Sequence, residues 1–193
     1  WREVFFPLTL LEVDRAREAS RLAHEAITRV CRSVRPGDTE LQVAGRLAQA
    51  YTEVGMGTDV ILVGADERPF RYRHCLPTEK RVQEHLLMHV AAQKRGLHAN
   101  VTRIVHWGRL PADLAHRHRA VSTVHATILA HTAPGARLAE LLPPIQAAYA
   151  ACGYPEEWRG HIQGGPAAYE AMEPDLLLDP QAVMGVNETY DWL

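Results

Sequence analysis

Cysteine is scarce in this 193-residue chain, and the three present, Cys31, Cys75 and Cys152, are odd in number and widely spaced, with no CxxC. That excludes a disulfide framework and a zinc knuckle and leaves buried thiols as the expectation. An excess of one charge is also missing. With 21 Lys and Arg against 23 Asp and Glu, the formal net charge is -2, so no basic field is on offer to nucleic acid or to an anionic membrane. No apolar run approaches the roughly 20 residues that span a bilayer. The first residues, "WREVFFPLTLLEVDR", carry no small-residue cleavage site, which makes the cytoplasm the expected location. At 47% hydrophobic and 23% charged, the chain has enough apolar material for a substantial core in one domain or two small ones. Histidine, by contrast, is abundant. There are eleven, and His85, His89, His98, His106, His116 and His118 crowd one third of the chain, most of them expected to be solvated or structural.

Apolar residues at Leu22, Ala23, Ala26, Ile27, Val30 and Val34 recur at helical spacing, and "RPG" ends that helix. A second helix opens at "DTE", with Thr39 or Asp38 as N-cap, and runs through Leu41, Ala44, Leu47, Ala48 and Tyr51 to Gly55. Strands follow in "TDVILVG", "HLLMHVAAQ" and "NVTRIVHWG", after which "PADLAHRHRAVSTVHATILAH" returns to helical periodicity. The pattern then repeats. Pro36 and Pro134, Gly37 and Gly135, Ala50 and Ala148, and Tyr51 and Tyr149 all lie 98 residues apart. Helix, Pro-Gly turn, helix ending in Tyr and Gly, then strands: two such copies, about 11–108 and 112–193, predict an α+β fold with an internal pseudo-twofold repeat.

The stretch "LLMHVAAQKRGLHANVTRIVHWG" reads as a hairpin. A tight turn centred on Lys94 and Arg95 would set His89 directly opposite Asn100, with both side chains on one face about 5 Å apart at Cβ. Upstream, His74 stands in "YRHCLPTEK", before a Pro-containing loop. Downstream, "GHIQGGP" carries His161 and Gln163 ahead of a flexible Gly-Gly-Pro, and Asn187 stands in "AVMGVNETYDWL".

In their order and spacing, "RPGDTE", "NVTR", "GH" and the final "VNE" resemble the M24 family, the creatinase and methionine aminopeptidase superfamily, which includes aminopeptidase P and prolidase. The resemblance runs over essentially the whole chain. It implies the pita-bread fold, an antiparallel curved sheet with helices on its outer face, whose two halves are related by pseudo-symmetry. It also implies the C-terminal domain of a longer protein, with "WREVFFPLTLLEVDR" as the incoming connection. In the family's metallopeptidases two metal ions are held by two hairpin aspartates, a histidine in a "GHG"-like turn and two later glutamates, and a further histidine before the hairpin serves substrate binding or proton transfer. Carried over, that early histidine is His74, the two aspartates fall on His89 and Asn100, and the ligand histidine is His161. The first late glutamate falls on Asn187, one position from Glu188, and the last would lie beyond Leu193.

Two divalent ions a few ångströms apart need anionic carboxylates to offset their repulsion, and His89, Asn100 and Asn187 supply no negative charge. No cofactor is therefore expected. A single zinc-like ion on His89 and His161, with a carboxylate from elsewhere, is the lesser alternative. Creatinase, which the resemblance brings in as a metal-free member using a histidine as acid and base, suggests His74 and His161 as catalytic residues. His89, Asn100, Gln163, Asn187 and Arg103 would then line a substrate pocket, with Arg71, Arg73 or Arg103 taking a substrate carboxylate. His74 is equally consistent with a hydrogen-bonded loop histidine. The expected partner is a peptide or small amide, with a homodimer possible. Two functions follow: a metal-independent or weakly active hydrolase of C–N bonds, or a non-catalytic binding protein that keeps only the fold.

Overall fold

The apolar stripe of the first helix, α1 (Leu10–Ser33), is built mainly of small residues. Ala19, Ala23 and Ala26 are buried with Ile27 and Val30, which lets a neighbouring element approach the helix closely. The computed structural model describes residues 7–170 and 177–192, so the first six residues of the expected incoming connection lie outside the described range. The chain divides into two units, one from Asp14 to Leu110 and the other from Pro111 onward together with the residues before Asp14. Among the described residues, no helix is long and apolar enough to cross a membrane.

In the Asp14–Leu110 unit, α1 is followed by α2 (Glu40–Glu53) and by β1 (Gly57–Ala65), β2 (His85–Lys94) and β3 (Leu97–His106), an antiparallel sheet in the order β1-β2-β3. Thr39, not Asp38, caps α2. Its hydroxyl accepts from the Gln42 amide at 3.1 Å while the Gln42 side chain accepts from the Thr39 amide at 2.8 Å, a reciprocal capping box. Asp38 is instead engaged by the Arg46 guanidinium at 2.6 and 2.7 Å. The helix ends through Gly55, whose φ of 71° suits a residue without a Cβ. Strand alternation then sorts the sheet. Leu86, Met88, Val90 and Ala92 of β2, with Val63, Ala65 and Ala99, pack against Ile27, Val30, Val43, Leu47 and Tyr51. Each large aliphatic side chain buried there contributes about 1.5–3 kcal/mol. The Tyr51 hydroxyl donates to the Ala23 carbonyl at 3.1 Å, so the polar tip of that buried ring is satisfied. The opposite face of the hairpin carries His85, Leu87, His89 and Ala91 on β2 and Asn100, Thr102, Ile104 and His106 on β3.

The other unit holds α3 (Ala112–His131), α4 (Leu142–Ala151) and a two-stranded antiparallel ladder of β4 (Gly164–Pro166) with β5 (Tyr190–Trp192). Its core is Val124, Ile128, Leu138, Leu141, Ile145, Met184 and Trp192. The internal repeat extends to the hydrogen bonds of the Pro-Gly turn. In the first unit, Gly37 N donates to Val82 O (2.8 Å), Val82 N to Asp38 O (2.9 Å) and Glu40 N to Lys80 O (3.0 Å). In the second, Gly135 N donates to Met184 O (2.8 Å), Met184 N to Ala136 O (2.8 Å) and Leu138 N to Ala182 O (2.9 Å). Gly37 and Gly135 both have positive φ, 97° and 87°.

Where the second unit buries Leu138, the first buries a carboxylate. Glu40, at 0% exposure, accepts from the Ala65 amide (2.8 Å), the Thr78 amide (2.9 Å) and the Thr78 hydroxyl (2.6 Å), and pairs with Arg68 Nε at 3.2 Å. It sits in the first turn of α2, where the positive end of the helix dipole also favours a negative charge. Because removing one partner of a buried pair strands the other, Glu40→Ala is expected to lose about 3–5 kcal/mol of unfolding free energy in urea titrations. Glu40→Gln, which keeps one oxygen acceptor, is expected to lose less.

Candidate functional site on the hairpin face

The face turned away from the helices is arranged by the β2–β3 turn. Arg95 and Gly96 are its two central residues, with φ of 53° and 81°, the positive values that a two-residue hairpin turn matching strand twist requires. A turn on Lys94 and Arg95 would have had no glycine to take either position. Lys94 closes the ladder opposite Leu97 and sends its ammonium to the Val54 carbonyl at 2.6 Å. The expected direct pairing of His89 with Asn100 is thereby corrected: His89 faces Thr102 and Asn100 faces Ala91. Since the pairing moves by two residues, His89 and Asn100 still share a face, as diagonal rather than direct neighbours.

His89 Nδ1 lies 2.9 Å from the Thr102 hydroxyl, and Leu62 of β1 stands opposite His89 on its other side. Burial pushes the His89 imidazole below its ordinary pKa, and the nearby His74 imidazole pushes it further the same way. His74 itself is exposed, on the loop joining β1 to β2. That loop is held down at three places. Cys75 O accepts from the Val63 amide at 2.9 Å, and Cys75 with Pro69 lies so close over Gly64 that a Cβ there would come within 2.7 Å of Cys75 Sγ and 3.0 Å of Pro69 Cγ. Arg68 donates to the Thr78 hydroxyl (3.0 Å) and the Leu76 carbonyl (2.9 Å). Asp66, at φ 56°, accepts from the Glu84 amide (2.9 Å) and the His85 amide (3.1 Å), returning the chain into β2. Gly64, Asp66 and Glu40 position the loop that carries His74. The sequence reading did not single them out; the one signal was a glycine inside the β-rich "VILVGAD" run, which marks close backbone approach.

Arg103 does not belong to this face. Strand alternation turns it to the helix side, where its guanidinium contacts His24 Nδ1 of α1 at 2.6 Å and donates to the Thr102 carbonyl at 2.7 Å. The expectation that Arg103 lines a pocket with His89 and Asn100 is corrected on that ground. Arg71 and Arg73, on the His74 loop, are exposed.

His161, Gln163 and Asn187 belong to the other unit. His161 Nδ1 lies 2.8 Å from the Ile162 carbonyl, and because a carbonyl only accepts, that nitrogen carries the proton. Gln163, 5% exposed, uses its amide within the fold rather than toward a ligand. It donates to Trp158 O (3.0 Å) and His161 O (2.7 Å) and accepts from the Tyr149 hydroxyl (3.2 Å). Asn187 is an exposed turn residue at φ 59° whose carbonyl accepts from the Leu8 amide at 2.9 Å. The neighbouring Glu188 carboxylate accepts from the Gly185 amide at 2.9 Å and from the Tyr190 hydroxyl. Among the described residues, no group of three or more His, Cys, Asp or Glu side chains is placed to hold a metal ion.

Two outcomes are expected. Gly64→Ala is expected to displace the Cys75 segment, to cost about 1–3 kcal/mol as other overpacking changes do, and to shift the His74 and His89 imidazole signals in NMR. Gly45→Ala, where a Cβ meets nothing within 4 Å, is expected to leave them in place. Because the folded chain holds His89 neutral more strongly than the unfolded chain does, stability is complete above the ordinary imidazole pKa of about 6.5 and falls as pH drops through it. His89→Gln is expected to make that fall shallower in urea titrations run between neutral and mildly acidic pH.

A model of metallopeptidase family M24 matches residues 14–171. Among solved structures, an X-Pro aminopeptidase from Thermotoga maritima superposes with a TM-score of 0.85 at 18% identity, over 96% of this chain and 54% of that one. An Xaa-Pro dipeptidase from Bacillus anthracis gives 0.84 at 19%, over 98% and 54%, and a prolidase from Pyrococcus horikoshii gives 0.84 at 17%, over 96% and 55%. The chain thus spans about half the length of these structures. No curated protein sequence matches it. The architecture is the pita-bread α+β fold of these structures, and the chain belongs to metallopeptidase family M24.

Proposed function

We propose that this chain is a single M24 domain, the C-terminal part of a longer aminopeptidase P- or prolidase-like protein, that binds a peptide or small amide and hydrolyses it weakly without the family's pair of metal ions. The observation that carries this reading is the chemistry of the hairpin face. A dinuclear centre needs carboxylates to neutralise two divalent ions, and the residues at the aspartate positions, His89 and Asn100, are an imidazole held neutral by its surroundings and an amide. These residues do not fit the family's metal pair. What they suit is hydrogen bonding to a neutral substrate. Asn100 offers an amide that can both donate and accept, and the Thr102 hydroxyl fixes the orientation of the His89 ring.

In this reading His74 is the acid-base residue. It takes a proton from water as the water oxygen bonds to the amide carbon, and it returns the proton to the leaving nitrogen as the C–N bond breaks. Arg71 and Arg73, on the same loop, take over from Arg103 as candidates for a substrate carboxylate. His161 is a candidate for the same acid-base role. The exposure of His74 favours a second reading, a domain that binds its peptide without turnover, because proton transfer is most effective where water is excluded.

Elemental analysis of the purified chain, followed by Xaa-Pro dipeptide and guanidino-amide screens with and without chelator, separates these readings. Turnover that survives chelation and is lost in His74→Ala is the expected result. Two bound metal ions with chelator-sensitive Xaa-Pro cleavage would overturn it, and saturable peptide binding with no turnover would establish the second reading.

A further inference from the structure

Two rungs along the same hairpin face from His89 and Thr102, a pair of imidazoles closes the ladder. His85 and His106 are direct register partners, and their ring centroids are 6.1 Å apart at an interplanar angle of 52°. His85 is 6% exposed, with Phe70 stacked on it at 5.4 Å, and its backbone amide is held by Asp66. The Nδ1 atoms of both rings are buried without a hydrogen-bond partner, an unfavourable arrangement for a polar nitrogen. The tautomer of His106 follows from its other nitrogen. Nε2 lies 3.2 Å from the Arg109 carbonyl, which can only accept, so in the neutral ring Nε2 carries the proton and Nδ1 presents its lone pair. An imidazole whose far N–H is anchored on a backbone carbonyl is the form in which histidine binds metals.

The geometry points to a mononuclear site at the end of the β2–β3 ladder, in which His85 and His106 bind one divalent d-block ion such as Zn²⁺ or Cu²⁺ through Nδ1, with water completing the coordination. A metal–nitrogen bond of about 2.0–2.1 Å places a ring centre about 3 Å from the ion, so the present separation of the rings is the widest that one ion can bridge, and tetrahedral coordination draws them together by about 1 Å. Imidazole ligands select zinc, copper and nickel over magnesium and calcium. Burial, and then the neighbouring His106, lower the pKa of His85, so no proton need be displaced from it at neutral pH. Asp66 is the nearby carboxylate, and its oxygens are already engaged by the Gln83, Glu84 and His85 amides. The ion therefore rests on two protein ligands and stands apart from His74 and His89, the residues of the proposed hydrolytic face.

The test is calorimetric titration of the chelator-stripped chain with zinc chloride and copper(II) chloride, alongside magnesium and calcium chloride, with thermal melts in each. One zinc or copper ion per chain, a melting temperature that rises with its concentration, and loss of both effects in His106→Gln are expected, with no response to magnesium or calcium. His85→Phe, which keeps an aromatic ring against Phe70, is the second variant, and circular dichroism of both in metal-free buffer reports whether they fold. Absence of saturable binding would overturn the inference. So would binding that persists in folded His106→Gln and His85→Phe and disappears instead in His118→Gln/His125→Gln on exposed α3. His74→Ala and His89→Ala are expected to bind the ion as the native chain does, so failure of this inference and failure of the hydrolase reading are separately visible.

Discussion

The register of one hairpin decides which chemistry the chain can present. With Arg95 and Gly96 in the turn, every residue of β2 is assigned a partner on β3, and alternation sends one set to the helix-packed core and the other to the open face. The open face receives a ladder of polar groups, His85 with His106 at one end and His89 with Thr102 further along, Asn100 being the next polar rung. The core face receives Met88, Val90 and Ala92, and with them Arg103, whose charge is accommodated beside His24.

A register alone does not bring His74 to the hairpin. The loop carrying it is tied by polar contacts to partners distant in sequence, the Glu40 carboxylate at the start of α2 and the Asp66 carboxylate after β1, and by close packing over the bare backbone of Gly64. The repeat sharpens the point. Both units close the Pro-Gly turn with the same three backbone hydrogen bonds, yet the residue that follows is Leu138 in one and Glu40 in the other. The leucine contributes only burial. The glutamate gathers Ala65, Thr78 and Arg68, so the β1–β2 loop has a buried charge to organise it.

The donor set then frames the function. Carboxylates at the hairpin positions would demand cations, whereas imidazole and amide groups suit hydrogen-bonding partners or, where two ring nitrogens lack one, a single softer ion. That difference makes the His89–Thr102 and His85–His106 pairs of this face unlike in prospect. His89 has a hydroxyl partner and a histidine neighbour, while His85 and His106 each keep a buried ring nitrogen without a hydrogen bond.

Helical periodicity, a capping signal at Asp38 or Thr39, the Pro-Gly turns and the repeat were all legible in the sequence, because each depends on residues within a few positions of one another or on a spacing that can be counted. Family membership was legible for the same reason, through motifs such as "RPGDTE" and "NVTR". What the sequence left open was decided by which residue occupies a turn and what a strand packs against. Placing the turn one residue off moved the partner of His89 from Asn100 to Thr102, since a shift in the turn is doubled in the pairing. Arg103 reads as a pocket arginine until alternation places it on the helix side, and Gln163 reads as a substrate-pocket residue until Tyr149, Trp158 and His161 take up its amide. Local propensity and spacing determined the elements and the family. The identity of the groups that meet across elements was set by tertiary packing alone, because burial and long-range hydrogen bonds exist only once the chain has closed on itself.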